Sequence, residues 1–399
     1  MMKKILFTLF IINIFLYNTA FANHYYSENS DYLETSSSNI QTPTINSKNA
    51  IVLDRKTLIP LYEKNAYTQV PMASTTKILT CILALENSSK SDIVTVSKKA
   101  ANITGSTLGL KYNSKISMND LLYGLMLRSG NDCAIAIAEH ISGSVENFSV
   151  LMNTKAFELG LSNSNFITPH GLDNPNHYTT AYDLALLTNY ALKNEDFKKI
   201  VSTKKQNIYL NTYNKEISNT NELLGSLDGI YGVKTGFTFN AGRCLVSAYC
   251  NNNLDIIVVV LGADTKSIRT QDSKNLVNYI SSNYTYVDIS HIIEEAFLNF
   301  IPYFNEIYLL EKTTSIPKLK LENIENYNFP LLKNDINNLR TNIYINKNFS
   351  PKLSSKTIVG KVHLFKNETL LCSINILLEN DLFPNNYFFY LKKFLYNYK

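Results

Sequence analysis

Residues 256–261 read Ile-Ile-Val-Val-Val-Leu, an unbroken apolar, mostly β-branched run with no polar residue to face water. Such a segment is a strand covered on both faces, so it belongs inside a sheet rather than at its edge. It is preceded by Cys244–Cys250 and by Asn251-Asn252-Asn253, whose side chains tolerate the positive φ of tight turns, and the pair reads as an antiparallel hairpin. Far upstream, Ala50–Asp54 and Leu58–Tyr62 flank Arg55-Lys56-Thr57 and suggest another hairpin. Helical patterns fill the interval: Ser74–Leu85, Asn119–Leu127, Asp132–Ile141, Val145–Leu159 and Thr180–Leu192. Strands at both ends with helices between them predict an α+β domain, its antiparallel sheet closed by the two ends of the segment and covered by helices. Beyond about residue 285 the texture changes. Ile307–Leu310, Lys318–Leu321, Asn342–Ile345, Lys361–Phe365 and Thr369–Ile376 are short strand-like runs, with Lys366-Asn367-Glu368 as a hairpin loop. They predict a smaller β-rich domain over residues 286–383, after a first domain over 48–285.

The ends of the chain carry different signals. Lys3 and Lys4, the apolar stretch Ile5–Tyr17 and Ala20-Phe21-Ala22 have the layout of a secretory signal peptide over residues 1–22, with cleavage after Ala22. The expected location is therefore outside the cytoplasm: the outer face of the cytoplasmic membrane, the wall or the periplasmic space. Residues 23–47 are polar and Ser/Asn/Thr-rich without hydrophobic period, which reads as a flexible tether. Residues 384–399 mix aromatics and lysines, too short to span a bilayer; they suit either a helix lying at a membrane surface or a terminal helix or strand docked on the second domain. A net charge of +5, without a basic block interleaved with aromatics, gives no support to nucleic-acid binding. Five cysteines with no CxxC pair argue against both a disulfide framework and a zinc ribbon.

Three short motifs carry chemistry. Ser74 and Lys77 stand at i and i+3 of a helical pattern, on one face, so that an amine can reach a hydroxyl. A hydroxyl is a poor nucleophile until its proton is removed, and a lysine removes it only when uncharged, which requires burial or a neighbouring cation. By itself the spacing is weak; Ser202/Lys205 and Ser315/Lys318 share it. Ser129-Gly130-Asn131 falls between two helical patterns, where a hydroxyl and an amide can relay a proton and hold a substrate amide. Lys234-Thr235-Gly236 occurs once, on the predicted strand preceding the 244–261 hairpin. It offers a second cation, a hydroxyl, and a glycine that lets a substrate backbone come close.

The order SxxK, SxN, KTG on helix, helix junction and edge strand is that of penicillin-binding proteins and class A β-lactamases. The blocks Pro71–Lys77, Leu127–Asp132, Pro169–Leu172 with His177–Ala185, and Asp228–Thr238 together resemble the low-molecular-mass penicillin-binding proteins that are D-alanyl-D-alanine carboxypeptidases. The resemblance covers residues 45–285. It implies a β-lactamase/transpeptidase-like catalytic domain with a helical lobe. It implies no cofactor, a peptidoglycan stem peptide ending in D-Ala-D-Ala as substrate, and β-lactams as covalent inhibitors. Residue by residue, it implies Ser74 as nucleophile, Lys77 as its base and Ser129 as the relay to the leaving amine. Asn131 would hold the substrate backbone and Lys77. Lys234 would keep the pKa values low, and Thr235 would bind the terminal carboxylate. Gly236 would admit the substrate strand, the amides of Ser74 and Phe237 would bind the oxyanion, and Arg269 would anchor the carboxylate.

Four competitors remain in view. A D,D-endopeptidase shares the acylation chemistry. A class A β-lactamase needs a glutamate in the loop after SxN, and Phe166–Asp173 has none. A metal hydrolase would draw on His170, Asp173 and His177, whose spacing fits no helical ligand pair. A wall-binding protein with a decayed site has no missing motif residue to support it.

Overall fold

The computed structural model describes residues 23–27, 41–210, 213–251, 254–307, 317–323, 328–346 and 352–383, with residues 387, 391, 394 and 395. The chain divides into two compact units: Ile40–Tyr284, and the two chain ends, Met1–Asn39 with Thr285–Lys399. From the N-terminus the elements are β1 (Asn23–Ser27), β2 (Asn49–Asp54), β3 (Pro60–Lys64), a 3-10 turn (Ala73–Thr76) and α1 (Lys77–Asn87). There follow β4 (Ile93–Thr95), α2 (Lys98–Ala101), β5 (Lys115–Ser117), α3 (Met118–Leu127), α4 (Asn131–Ser142), α5 (Val145–Glu158), α6 (Ala181–Ala191) and α7 (Glu195–Ser202). The hairpin β6 (Lys205–Leu210) and β7 (Tyr213–Ser218) precedes β8 (Ile230–Thr238), β9 (Gly242–Asn251), β10 (Leu254–Ala263) and α8 (Lys266–Asn283).

The sheet of the larger unit runs β3-β2-β10-β9-β8, antiparallel throughout. β10 lies at its centre, with Val258 opposite Val52 on one side and Ser247 on the other. Ile256–Leu261 are wholly buried, the outcome that an unbroken apolar run requires. The five expected helices appear as α1, α3, α4, α5 and α6, each within a few residues of its predicted bounds. Ile78–Ala84 of α1 and Leu121–Leu127 of α3 sit in a single core with α4 and the inner face of the sheet. The sequence reading did not separate α7, the β6–β7 hairpin, the short β4–β5 pair or α8.

In the second unit the elements are β11 (Tyr284–Asp288), α9 (Ser290–Ile307), β12 (Leu319–Leu321), β13 (Asn328–Leu332), β14 (Leu339–Asn346), β15 (Ile358–Lys366) and β16 (Thr369–Leu378). Its main sheet runs β1-β14-β15-β16-β12. The region is rich in strands, and it also holds a long helix: α9 spans 18 residues, burying Ile293, Ala296, Phe297, Phe300 and Phe304 at helical spacing. One expectation is corrected here. Part of the expected tether is a strand, with Asn23 opposite Asn346 and Ser27 opposite Asn342. Backbone pairing satisfies the exposed edge of β14 whatever the side chains of the added segment, so polarity alone could not exclude it.

The end of the tether is also held. Ser47 donates from both its amide and its hydroxyl to Asp272 Oδ2, at 2.7 and 2.5 Å. Residues 1–22, and all but four positions of 384–399, lie outside the described residues, so the signal-peptide and surface-tail readings do too. Among the described residues no helix is long and apolar enough to cross a membrane.

Candidate active site

Ser74 stands not in α1 but in the 3-10 turn before it. The turn is closed by Thr75 Oγ1 donating to Met72 O (2.6 Å) and Thr76 Oγ1 to Ala73 O (2.9 Å), with Ala73 at φ +49°. A left-handed non-glycine residue costs of order 1–3 kcal/mol and persists only where its surroundings over-determine it. Two glycines press on the turn. A Cβ on Gly171 would lie 1.9 Å from Ala73 O, and one on Gly236 would lie 3.1 Å from Ser74 N. Gly236 thus lets β8 approach the turn that carries Ser74, a closer constraint than the substrate contact expected from sequence.

Lys77 opens α1 and is fully buried. Its Nζ lies 2.8 Å from Ser74 Oγ, 2.8 Å from Asn131 Oδ1 and 2.7 Å from His170 O. The Asn131 amide is fixed in orientation because its Nδ2 donates to Thr104 O at 2.8 Å. Two of the three Lys77 partners can therefore only accept. An uncharged amine has two N–H bonds for those acceptors and one lone pair, which then faces the Ser74 hydroxyl. Burial, and then the Lys234 charge, push the Lys77 pKa well below that of an ordinary lysine.

Lys234, on the edge strand β8, is also buried and donates to Thr235 O at 2.9 Å. Burial, with the Arg269 charge adding, brings its pKa down to about 7. Ser129 lies at the α3–α4 junction with φ +64°, a bend that turns it out of both helices. A cleft of about 420 Å³ is lined by Ser74, Ser129, Thr235, Gly236, Phe237 and Arg269, with Lys77, Asn131 and Lys234 buried around the same hydroxyl and strand. All nine residues singled out in the sequence thus belong to one region.

The cleft also holds residues that sequence reasoning missed. Thr220 Oγ1 is 2.7 Å from Thr235 Oγ1. Arg243 stands opposite Phe237 in the β8–β9 register and stacks on its ring at 3.6 Å. Glu222 and Lys266, ion-paired to each other, line the cleft beside Arg269. None has a motif; strand register and the fold of the 219–222 loop bring them in. Asp132, the last residue of the Leu127–Asp132 block, is buried beside the cleft. Its carboxylate accepts from the amides of Leu108, Gly109 and Leu110 at 2.8–3.0 Å and fixes the loop that presents Ser106 to the cleft.

The residues considered for a metal are engaged otherwise. His177 Nδ1 accepts from Ile167 N (2.9 Å), leaving its Nε2 to Thr76 Oγ1 at 2.8 Å. His170 Nδ1 accepts from Leu172 N at 3.1 Å. Burial lowers the two imidazoles to about 4 and about 3, so both are neutral at pH 7. Asp173 accepts from Thr238 Oγ1 at 2.6 Å. Among the described residues no group of three His, Cys, Asp or Glu is placed to share a metal ion.

A family profile described as D-alanyl-D-alanine carboxypeptidase matches residues 36–265. The chain is 38% identical over 243 residues to the D-alanyl-D-alanine carboxypeptidase DacF of Bacillus subtilis, covering 59% of this chain and 62% of that one. The matched part is thus under two thirds of that relative's own length. In three dimensions it is similar to penicillin binding protein 5 of Haemophilus influenzae, with TM-score 0.69, 27% identity and 86% and 99% of the two chains covered. It is also similar to the Streptomyces K15 DD-transpeptidase, with TM-score 0.58, 33% identity and 60% and 98% covered.

Proposed function

The chain belongs to the D-alanyl-D-alanine carboxypeptidase family, and from that membership and the geometry of the cleft we propose that it is an exported serine-type D-Ala-D-Ala carboxypeptidase. It removes the terminal D-alanine from peptidoglycan stem pentapeptides. The observation that carries the reading is the buried Lys77 amine, 2.8 Å from the Ser74 hydroxyl, with its other two partners both acceptors.

In this reading Lys77 Nζ takes the proton of Ser74 Oγ as the oxygen attacks the carbonyl of the penultimate D-alanine. The amides of Ser74 and Phe237 face the developing oxyanion. Ser129 passes the proton to the leaving amine, the C–N bond breaks and D-alanine departs. Water then cleaves the acyl-serine ester. Asn131 holds both the substrate backbone and Lys77. Lys234, Thr235 and Arg269 hold the terminal carboxylate, and Lys234 further disfavours a charged Lys77. The chemistry needs no metal or organic cofactor. β-Lactams react at Ser74 by the same attack, and the adduct is hydrolysed slowly because the 162–180 loop brings no glutamate to activate water.

The test is to mix purified protein with a fluorescent penicillin and with a D-Ala-D-Ala-ended pentapeptide. Wild type is expected to take up a stable label and release D-alanine, and Ser74→Ala to do neither. A Ser74-independent label, or none, overturns the reading. The 384–399 segment, in the same proposal, lies on the outer face of the membrane. Removing it is expected to abolish co-sedimentation with anionic vesicles, and unchanged binding would refute that part.

A further inference from the structure

Three charged residues of the cleft, Glu222, Arg243 and Lys266, take part in no step of the proposed mechanism, and Glu222 is the acidic one. Glu222 Oε1 pairs with Lys266, while its Oε2 lies 3.4 Å from Arg269 Nη2 and 3.3 Å from Thr270 Oγ1. Glu222, Lys266 and Arg269 all line the cleft that holds Ser74. The Arg269 side chain is only 4% exposed, and among the described residues its Nε has no hydrogen-bond partner. Glu222 is its one acidic neighbour there, at a distance too long for a strong charge-assisted bond. The guanidinium is therefore incompletely satisfied, yet it already faces one carboxylate. A second carboxylate arriving at the same cations meets like-charge repulsion from the first.

We infer that Glu222 is a specificity-determining residue: its carboxylate occupies the Arg269–Lys266 end of the cleft and competes there with the terminal carboxylate of the substrate. This rests on the carboxypeptidase reading, in which Arg269 anchors that carboxylate. The consequence is reduced discrimination between acyl donors that end in a free carboxylate and those that end in a neutral group.

Glu222→Gln keeps the size of the side chain and its hydrogen bond to Thr270 while removing the charge. The probes are a diacylated lysyl-D-alanyl-D-alanine peptide and the same peptide amidated at its C-terminus. The expected result is a KM for the free acid lowered about fivefold, more so at low salt, with the change falling on KM rather than kcat. The amide is expected to change less than about twofold. Lys266→Gln, which strips Glu222 of its partner, should move the free-acid KM the opposite way and spare the amide. Equal shifts for acid and amide, or an unchanged or raised KM for the acid in Glu222→Gln, overturn the inference while leaving penicillin labelling at Ser74, and with it the functional reading, intact. A wild type that neither labels nor releases D-alanine overturns both.

Discussion

Two buried lysines stand beside the cleft, and neither keeps the pKa of a lysine in water. For Lys77 the main cause is burial and the next is Lys234; for Lys234, burial and then Arg269 bring the value to about 7. A base works only when unprotonated, so kcat/KM is expected to rise with pH as Lys77 loses its proton. On the alkaline side it is expected to fall as pH passes about 7, where Lys234 gives up the charge that, in the proposed mechanism, attracts the substrate carboxylate. Lys234→Met removes one of the two causes that hold Lys77 down. Its acidic limb is expected to move to higher pH, beyond the general loss of rate, and pH–rate profiles of the two proteins check this. An acidic limb that stays in place would assign it to another group. At this scale the gathering of Ser74, Lys77 and Asn131 was open to sequence reading, because a hydroxyl, an amine and an amide at fixed offsets allow few arrangements. Glu222 and Arg243 were not. Their importance comes from facing Arg269 and Phe237 across the fold, and no local spacing records that.

The reacting turn is held between elements rather than by its own propensity. Gly171, at φ +83°, packs against Ala73 from one loop, and Gly236 approaches from β8. Gly171→Ala adds both a left-handed strain and a clash with backbone that cannot yield cheaply. It is expected to cost about 3 kcal/mol in stability and to slow penicillin acylation of whatever remains folded. Thermal unfolding and labelling rates measure the two effects, and a variant with wild-type values would show that the turn is not clamped there. Helices were the most legible elements: α1, α3, α4, α5 and α6 each carry an apolar face long enough to fix their type. The helix α9 was missed although Ile293, Ala296, Phe297, Phe300 and Phe304 keep helical spacing, because short apolar runs around them also fit strands. The strand β1 had no signal at all, since its place is given by the backbone edge of β14.

At the level of the molecule, every residue of the main core cluster lies within Ile40–Tyr284, from Ile51 to Leu261. A chain reduced to those residues retains the sheet, the helices around it and the whole cleft. It is expected to unfold cooperatively and to take up penicillin at Ser74; failure to do so would mean that the chain ends supply something the core lacks. What the sequence by itself determined were the features written in short offsets: the buried central strand, the amphipathic helices and the three motifs. Periodicity and i, i+3 spacing are local properties of a backbone with few allowed conformations. Only the tertiary structure decided which charge stands against which. The Glu222–Arg269 contact, the Arg243–Phe237 stack and the pairing of β1 with β14 join residues far apart in the chain. Their energies depend on distance and solvent exposure, which do not exist until the chain has folded.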